Sequence, residues 1–186
     1  MQVAFSPRAR ASCTCSPRHA LTHTRCCRPP LCGQGHKMRD ECNVEALFNP
    51  DHDRGIRTAV GTWEADPAAA KARYGPIASW DTSGVTDMYM LFYNKRDFNE
   101  DISRWNVSNV VNMRSTFLDA TSFNGDLSRW DVGQVNYMTM MFRHATSFTH
   151  QLGGAWATST ANKGWMFNNS PGTIAGKVKD ANGTIA

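Results

Sequence analysis

The densest collection of reactive side chains lies near the amino terminus. All six cysteines (Cys13, Cys15, Cys26, Cys27, Cys32 and Cys42) fall in the first 42 residues, together with His19, His23 and His36. Thiolate and imidazole are zinc-ligand types, but a structural zinc site needs C-x2-C pairs or a C-x2–4-C pair followed by H-x3–5-H, and this segment does not assemble that pattern. Its Arg, Pro, Ser and Cys content predicts a disordered basic leader over residues 1–43.

Further along, Met88, Met90, Met113, Met138, Met140 and Met141 could offer thioethers to a soft metal such as Cu(I). Their shared spacing with phenylalanine predicts core filling instead. Asn99/Asp101 and Asn124/Asp126 carry oxygens that could suit calcium, yet such residues also hold turns by bonding nearby backbone, and turn stabilisation is the expectation here. There is no G-x-S-x-G, H-E-x-x-H, P-loop or dinucleotide fingerprint, and His144 and His150 have no nucleophile or paired carboxylate at a defined spacing. The chain is therefore expected to be no enzyme and to need no cofactor or metal.

What must position these residues is an internal period. Trp80, Trp105 and Trp130 are 25 residues apart, and the same interval links Val85/Val110/Val135, Met88/Met113/Met138, Phe92/Phe117/Phe142 and Phe98/Phe123/Phe148. Five columns in phase mark a repeat array. Full units occupy 98–122 and 123–147, an earlier one 77–97, and a later one, 148–167, has one extra residue before Trp156 and one fewer before Met166 and Phe167. Decay of terminal units is expected where one side faces solvent.

Ile102-x-x-Trp105-x-Val107 and Leu127-x-x-Trp130-x-Val132 reproduce the apolar spacing of a leucine-rich-repeat strand. Val110, Met113 and Phe117 fall at i, i+3 and i+7, which predicts a short helix with Ser83 and Ser108 as N-caps. The expected fold is therefore α/β: a short leucine-rich-repeat-like solenoid over 77–167, strand plus short helix per 25-residue coil, about four coils. Upstream, Ile56, Ala59, Val60 and Trp63 have helical spacing, and Asp66-Pro67 through Gly75-Pro76 supplies a cap, a first-position proline, an Ala-rich body and a stop. Residues 44–76 are read as a helical N-terminal cap and 168–186 as a C-terminal tail.

Composition narrows the function classes. With 186 residues and 41% hydrophobic content, the chain can build one ordinary core. Of its 20 Lys/Arg and 16 Asp/Glu, seven and two lie in residues 1–42, leaving thirteen against fourteen in the remainder. The repeat region is nearly neutral, so no nucleic-acid partner is expected for it. No apolar run matches a secretory signal, and no stretch reaches the length of a transmembrane span.

The unit pattern F-N-x-D-[IL]-S-x-W-[DN]-V-x-x-V-x-x-M-x-x-x-F, preceded by AVGTWEADPAAAKARYGPIASWDTS, resembles the 25-residue repeat of BspA-like surface proteins and mycoplasma-type lipoproteins. That group is related to leucine-rich repeats, and the resemblance covers residues 56–167. It implies an extracellular or cell-surface protein used for adhesion or protein interaction, with no catalytic residues to carry over.

In a strand-lined solenoid, positions alternating with the buried ones form an exposed face, here Ser79/Asp81, Arg104/Asn106, Arg129/Asp131 and Ala155/Ala157. With strands about 4.8 Å apart, Asp81, Asn106 and Asp131 should form one polar ladder beside Arg104 and Arg129. This strip is either a contact surface for a protein or glycan, or a set of offsetting charges that keep the face soluble. It is far smaller than the roughly 800 Å² per partner of a standard interface, so useful affinity would call for multivalent display. Asn106, Asn168 and Asn182 begin N-x-[ST] sequons, which matter only if the chain is exported. The alternative is a metal- or nucleic-acid-binding protein acting through the Cys/His leader, with the repeats as a passive scaffold.

Overall fold

The computed structural model describes residues 53–185. The leader 1–43, with its Cys/His cluster, and the first part of the cap region, 44–52, lie outside the described residues.

Two helices open the described chain. Helix α1 (Asp53–Ala65) buries Ile56, Ala59 and Val60, and Trp63 meets Phe98 edge-on with ring centroids 5.5 Å apart. Asp66 then caps α2 (Pro67–Tyr74) by accepting from the N–H groups of Ala68 and Ala69 at 2.9 and 3.0 Å. Pro67 enters at a position where its missing N–H costs nothing, and Gly75, at φ 75°, ends the helix by donating to the Lys71 carbonyl.

Successive 25-residue units then lie side by side, joined through isolated parallel bridges Asp87–Asn112, Asn112–Tyr137 and Tyr137–Asn162. Their interior is a set of columns. Phe92, Phe117, Phe142 and Phe167 stack with centroids 5.2, 5.4 and 5.4 Å apart, and Phe98, Phe123 and Phe148 form a second stack at 5.9 and 6.0 Å. Met88, Met113 and Met138 are fully buried beside them. The tryptophans add a polar tie that spacing alone does not reveal. The indole Nε1–H of Trp105, Trp130 and Trp156 donates to the carbonyl of Ile77, Ile102 and Leu127 in the unit before, at 2.9, 3.1 and 3.0 Å. A buried indole needs such a partner, and here it clamps one unit to the previous one.

The elements within a unit differ from the expected strand and helix. Residues 102–107 pair with no neighbour as a strand; the Trp105 N–H bonds back to Ile102 and the Val110 N–H to Val107, so the segment bends twice. Asp101 and Asn106 cause the bends, each accepting from the N–H two residues on, at Ser103 and Ser108. Ser83 and Ser108 are thus partners of such turns rather than helix N-caps.

The expected helix at 110–117 is a run of tight turns. Alternate N–H groups, those of Met113, Ser115, Phe117 and Asp119, leave the unit and donate to the carbonyls of Tyr137, Thr139, Met141 and Arg143 in the next, at 2.8–3.0 Å. The intervening N–H groups of Thr116, Leu118 and Ala120 close turns onto residues three back. This alternation needs a left-handed residue every fourth position: Met90/Asn94, Ser115/Asp119, Met140/His144 and Trp165/Asn169 all have φ between 53° and 61°. A helix would keep every N–H inside its own unit and leave the units unlinked. The i, i+3, i+7 spacing is real, and a different backbone meets it.

Both ends of this hydrogen-bonded ladder are covered. At the first unit Asp53 of α1 accepts from the N–H groups of Thr86 and Asp87 at 2.9 Å each, and Arg57 donates to the carbonyl of Tyr89 at 2.5 Å, with Lys95 pairing Glu64. At the other end the segment 168–185, expected as a tail, packs onto the last unit. Strand β1 (Gln151–Leu152) pairs in parallel with β2 (Thr173–Ile174), and Ile174 and Ile185 are buried. The Phe167 N–H donates to the Gly183 carbonyl at 2.9 Å and the Trp165 N–H to Thr184 Oγ1 at 2.9 Å. Open ladder edges invite pairing with other chains, and these two devices occupy them. The extra residue of the last unit is absorbed at Gly154, φ 55°, ahead of the one-turn helix α3 (Ala155–Thr158).

Candidate functional site

Ser79, Asp81, Arg104, Asn106, Arg129 and Asp131 are solvent-exposed, whereas Ala155 and Ala157, expected on the same face, lie in α3 and pack partly buried against the core. Ser79 sits in a 3-10 turn (Ile77–Ser79), its hydroxyl donating to the Pro76 carbonyl. Asp81, Asn106 and Asp131 each follow a core tryptophan, and each Oδ1 accepts from the N–H two residues on, Ser83, Ser108 and Gly133, at 3.0, 3.1 and 3.0 Å. Their oxygens therefore serve their own turns while facing water. Arg104 and Arg129 occupy the turns before Trp105 and Trp130. The Asp101 carboxyl is held below its ordinary pKa by hydrogen bonds from the Ser103 side chain and N–H, with Arg104 adding its charge. Asp126 is lowered in the same way, first by Ser128 and in part by His150 and Arg129.

Asn99 and Asn124 have a different role from the expected turn support. Asn99 Oδ1 accepts from the Asn124 N–H at 2.8 Å, and Asn124 Oδ1 from the Thr149 N–H at 3.0 Å, so this column links units. Met88, Met113, Met138 and Met141 are in the core; Met140 is half-buried, with its sulfur 3.9 Å from an Arg143 nitrogen. Among the described residues no three His, Cys, Asp or Glu side chains gather as metal ligands, and no helix is long and apolar enough to cross a membrane.

The exposed large apolar side chains gather on another part of each unit. Tyr89, Tyr93, Val111, Tyr137 and Trp165 all lie in the bridged segments, with Val178 the exception among the described residues. The same segments hold a pair that the sequence reading missed. His144 has a carboxylate partner, Asp119, one period earlier, with Nδ1 and Oδ1 2.7 Å apart. On the other side of the ring the Arg143 Nε lies 3.4 Å from His144 Nε2. The signal was present: Asn94, Asp119, His144 and Asn169 form a 25-residue column of types that tolerate positive φ. A carboxylate and a guanidinium thus flank the imidazole on either side. Beside it Arg143, Trp165, Asn168 and Asn182 line an open cavity of about 190 Å³.

Lys163, also unnoticed in the sequence, is buried, with Nζ donating to the carbonyls of Ser159 and Ala161 at 2.5 and 3.3 Å. Burial pushes its pKa below the usual lysine value, with Lys177 contributing. The ammonium pins the loop after α3 to the last unit.

Residues 64–176 match the family model described as "Mycoplasma protein of unknown function, DUF285". The chain belongs to that family. In this DUF285 member the matched stretch runs from the end of α1 through β2, so it takes in Arg143, Trp165 and Asn168 but stops short of Asn182. Searches of curated proteins and of solved structures each found no match.

Proposed function

We propose that this DUF285 chain is a non-enzymatic interaction protein, BspA-like in kind. In this reading it is a short leucine-rich-repeat-like solenoid that works at a cell surface or outside the cell and holds a protein or glycan on the exposed face of its stacked units. The supporting observation is the in-register repetition of tethered polar groups on a rigid aromatic body. Asp81, Asn106 and Asp131 recur at one period, each fixed by its own turn, with Arg104 and Arg129 alongside. Groups already held in place lose little freedom on binding. The face is small, so affinity would be raised by display of many copies.

The test uses the full chain immobilised at high density and probed with an array of extracellular-matrix glycoproteins. Binding should survive replacement of Cys13, Cys15, Cys26, Cys27, Cys32 and Cys42 by Ser, and should fall at least tenfold in the Arg104→Ser/Arg129→Ser variant. The opposite pattern, loss with the cysteine variant and none with the arginine variant, would transfer the function to the leader and sink the proposal. Finding the native protein confined to the cytosol would do the same to its location.

A further inference from the structure

Beyond the exposed strip, we infer that the cavity formed by Arg143, Trp165, Asn168 and Asn182 is a sugar subsite, and that it takes a pyranose bearing a carboxylate. The ligand class rests on the interaction reading above, whereas the site lies on the bridged side of the units. A volume of about 190 Å³ suits one sugar ring and falls below the roughly 300–1,000 Å³ of drug-sized pockets.

Each wall supplies one element of such recognition. Trp165 is 48% exposed and holds a left-handed backbone conformation, φ 53°, that a bulky aromatic adopts only under constraint. The equivalent positions in earlier units carry Met90, Ser115 and Met140, so the turn itself does not demand an indole. The left-handed conformation is common to every unit, so what is particular to the cavity is the indole itself. The Trp165 N–H bonded to Thr184 Oγ1 fixes the backbone beneath the ring. An indole offers a flat apolar surface to the C–H face of a sugar and an N–H at its edge.

Asn168 and Asn182 are anchored through their backbones. The Asn168 N–H donates to the Trp165 carbonyl and its carbonyl accepts from His144, while the Asn182 N–H donates to Asp180 Oδ1 at 2.9 Å. Both residues line the cavity, and a side-chain amide offers both a donor and an acceptor, the complement of a sugar hydroxyl. Arg143 completes the set. Its Nε is turned toward His144, which Asp119 holds, and its Nη1 lies 3.9 Å from the Met140 sulfur, which leaves Nη2 to meet a carboxylate. The nearest acids are committed elsewhere: Asp119 to His144, and Asp180 to the N–H groups of Asn182 and Thr184. Asp119 and His144 act as positioning residues for Arg143.

Asn168 and Asn182 also begin two of the three sequons, so a glycan attached at either would fill the cavity. The experiment therefore uses full-length protein from a host that does not N-glycosylate, with saturation-transfer NMR of glucuronate and of glucose as its uncharged counterpart. Glucuronate should bind with affinity on the order of millimolar, as expected of a single small ring. Glucose should bind at least fivefold more weakly. Trp165→Ala should abolish the glucuronate signal; Arg143→Gln should reduce it to the level of glucose, and Asn182→Asp, which sets a second carboxylate against the ligand, should weaken it at least tenfold. Asn182 is exposed and Arg143 half-buried, and neither belongs to the core columns; an unchanged urea-unfolding midpoint in each variant separates loss of binding from unfolding. Arg104→Ser/Arg129→Ser should leave glucuronate binding unchanged even where it abolishes glycoprotein capture, which separates failure of this site from failure of the strip. No transfer at tens of millimolar sugar, equal transfer to Trp165→Ala, or equal binding of glucose and glucuronate would overturn the assignment.

Discussion

Each unit joins its neighbours differently along its two halves. Around Trp105, Trp130 and Trp156 the ties are made by side chains: indole to carbonyl, Thr82 hydroxyl to the Asn106 carbonyl, and the Asn99–Asn124–Thr149 relay. Along the bridged segments they are made chiefly by backbone, with four N–H groups of each of the first three units reaching the next, joined by the Thr116 hydroxyl on the Met88 carbonyl and the His144–Asp119 pair. Side-chain ties fix residue identity, and this half repeats Trp faithfully from unit to unit. Backbone ties do not by themselves fix the identity of the outward side chains. At the bridge position Asp87, Asn112, Tyr137 and Asn162 succeed one another, and two residues on stand Tyr89, Arg114, Thr139 and Gly164. On both halves polar side chains hold turns while facing water: Asp81, Asn106 and Asp131 after the tryptophans, and Asp87, Asn112 and Asn162 at the bridges, each with an Oδ1 that accepts from the N–H two residues on.

The largest expected effect lies in the core shared by both halves. Phe117→Ala opens both phenylalanine stacks and should cost about 3–5 kcal/mol in urea unfolding. Gly183→Ala is next: a Cβ there would come within 2.2 Å of the Asn168 nitrogen at φ 75°, so the closing segment cannot seat. A penalty of about 1–3 kcal/mol is expected, with hydrogen-exchange protection lost first at the Trp165 and Phe167 amides.

A direct comparison of the halves comes from Trp130→Phe against Tyr137→Ser. The first removes a donor from the buried Ile102 carbonyl and should cost about 1–3 kcal/mol, whereas the second should stay within about 0.5 kcal/mol. Equal losses would break the distinction between side-chain and backbone ties.

The smallest effect concerns acid. The Asp101 and Asp126 carboxyls are held below the ordinary aspartate value of 3.8 in the folded chain, chiefly by Ser103 and Ser128. Their contribution is therefore present above that value and disappears as pH falls through the lowered one. NMR titration should place both midpoints below 3.8, and Ser103→Ala should move that of Asp101 upward. An unchanged midpoint in Ser103→Ala would remove the turn as the cause.

Much of the interior was written in the sequence. The columns of Trp, Val, Met and Phe are buried because period and hydrophobicity together choose which residues face inward, whatever backbone carries them. The Asp66-Pro67…Gly75 punctuation was equally legible, since capping and φ restrictions act within a few residues. The unit's backbone was not. Helical spacing at Val110, Met113 and Phe117 fits alternating turns as well as a helix, and the choice is made by N–H groups that bond a neighbouring unit. For the same reason the partner of His144, the anchoring of Ser170, Ile174 and Ile185 onto the last unit, and the cavity at Trp165 could not be read locally. Sequence fixed which side chains recur and which must avoid water, because those are properties of residues and intervals. Only the tertiary structure decided where hydrogen bonds run and which polar groups remain available, because that depends on the unit lying alongside.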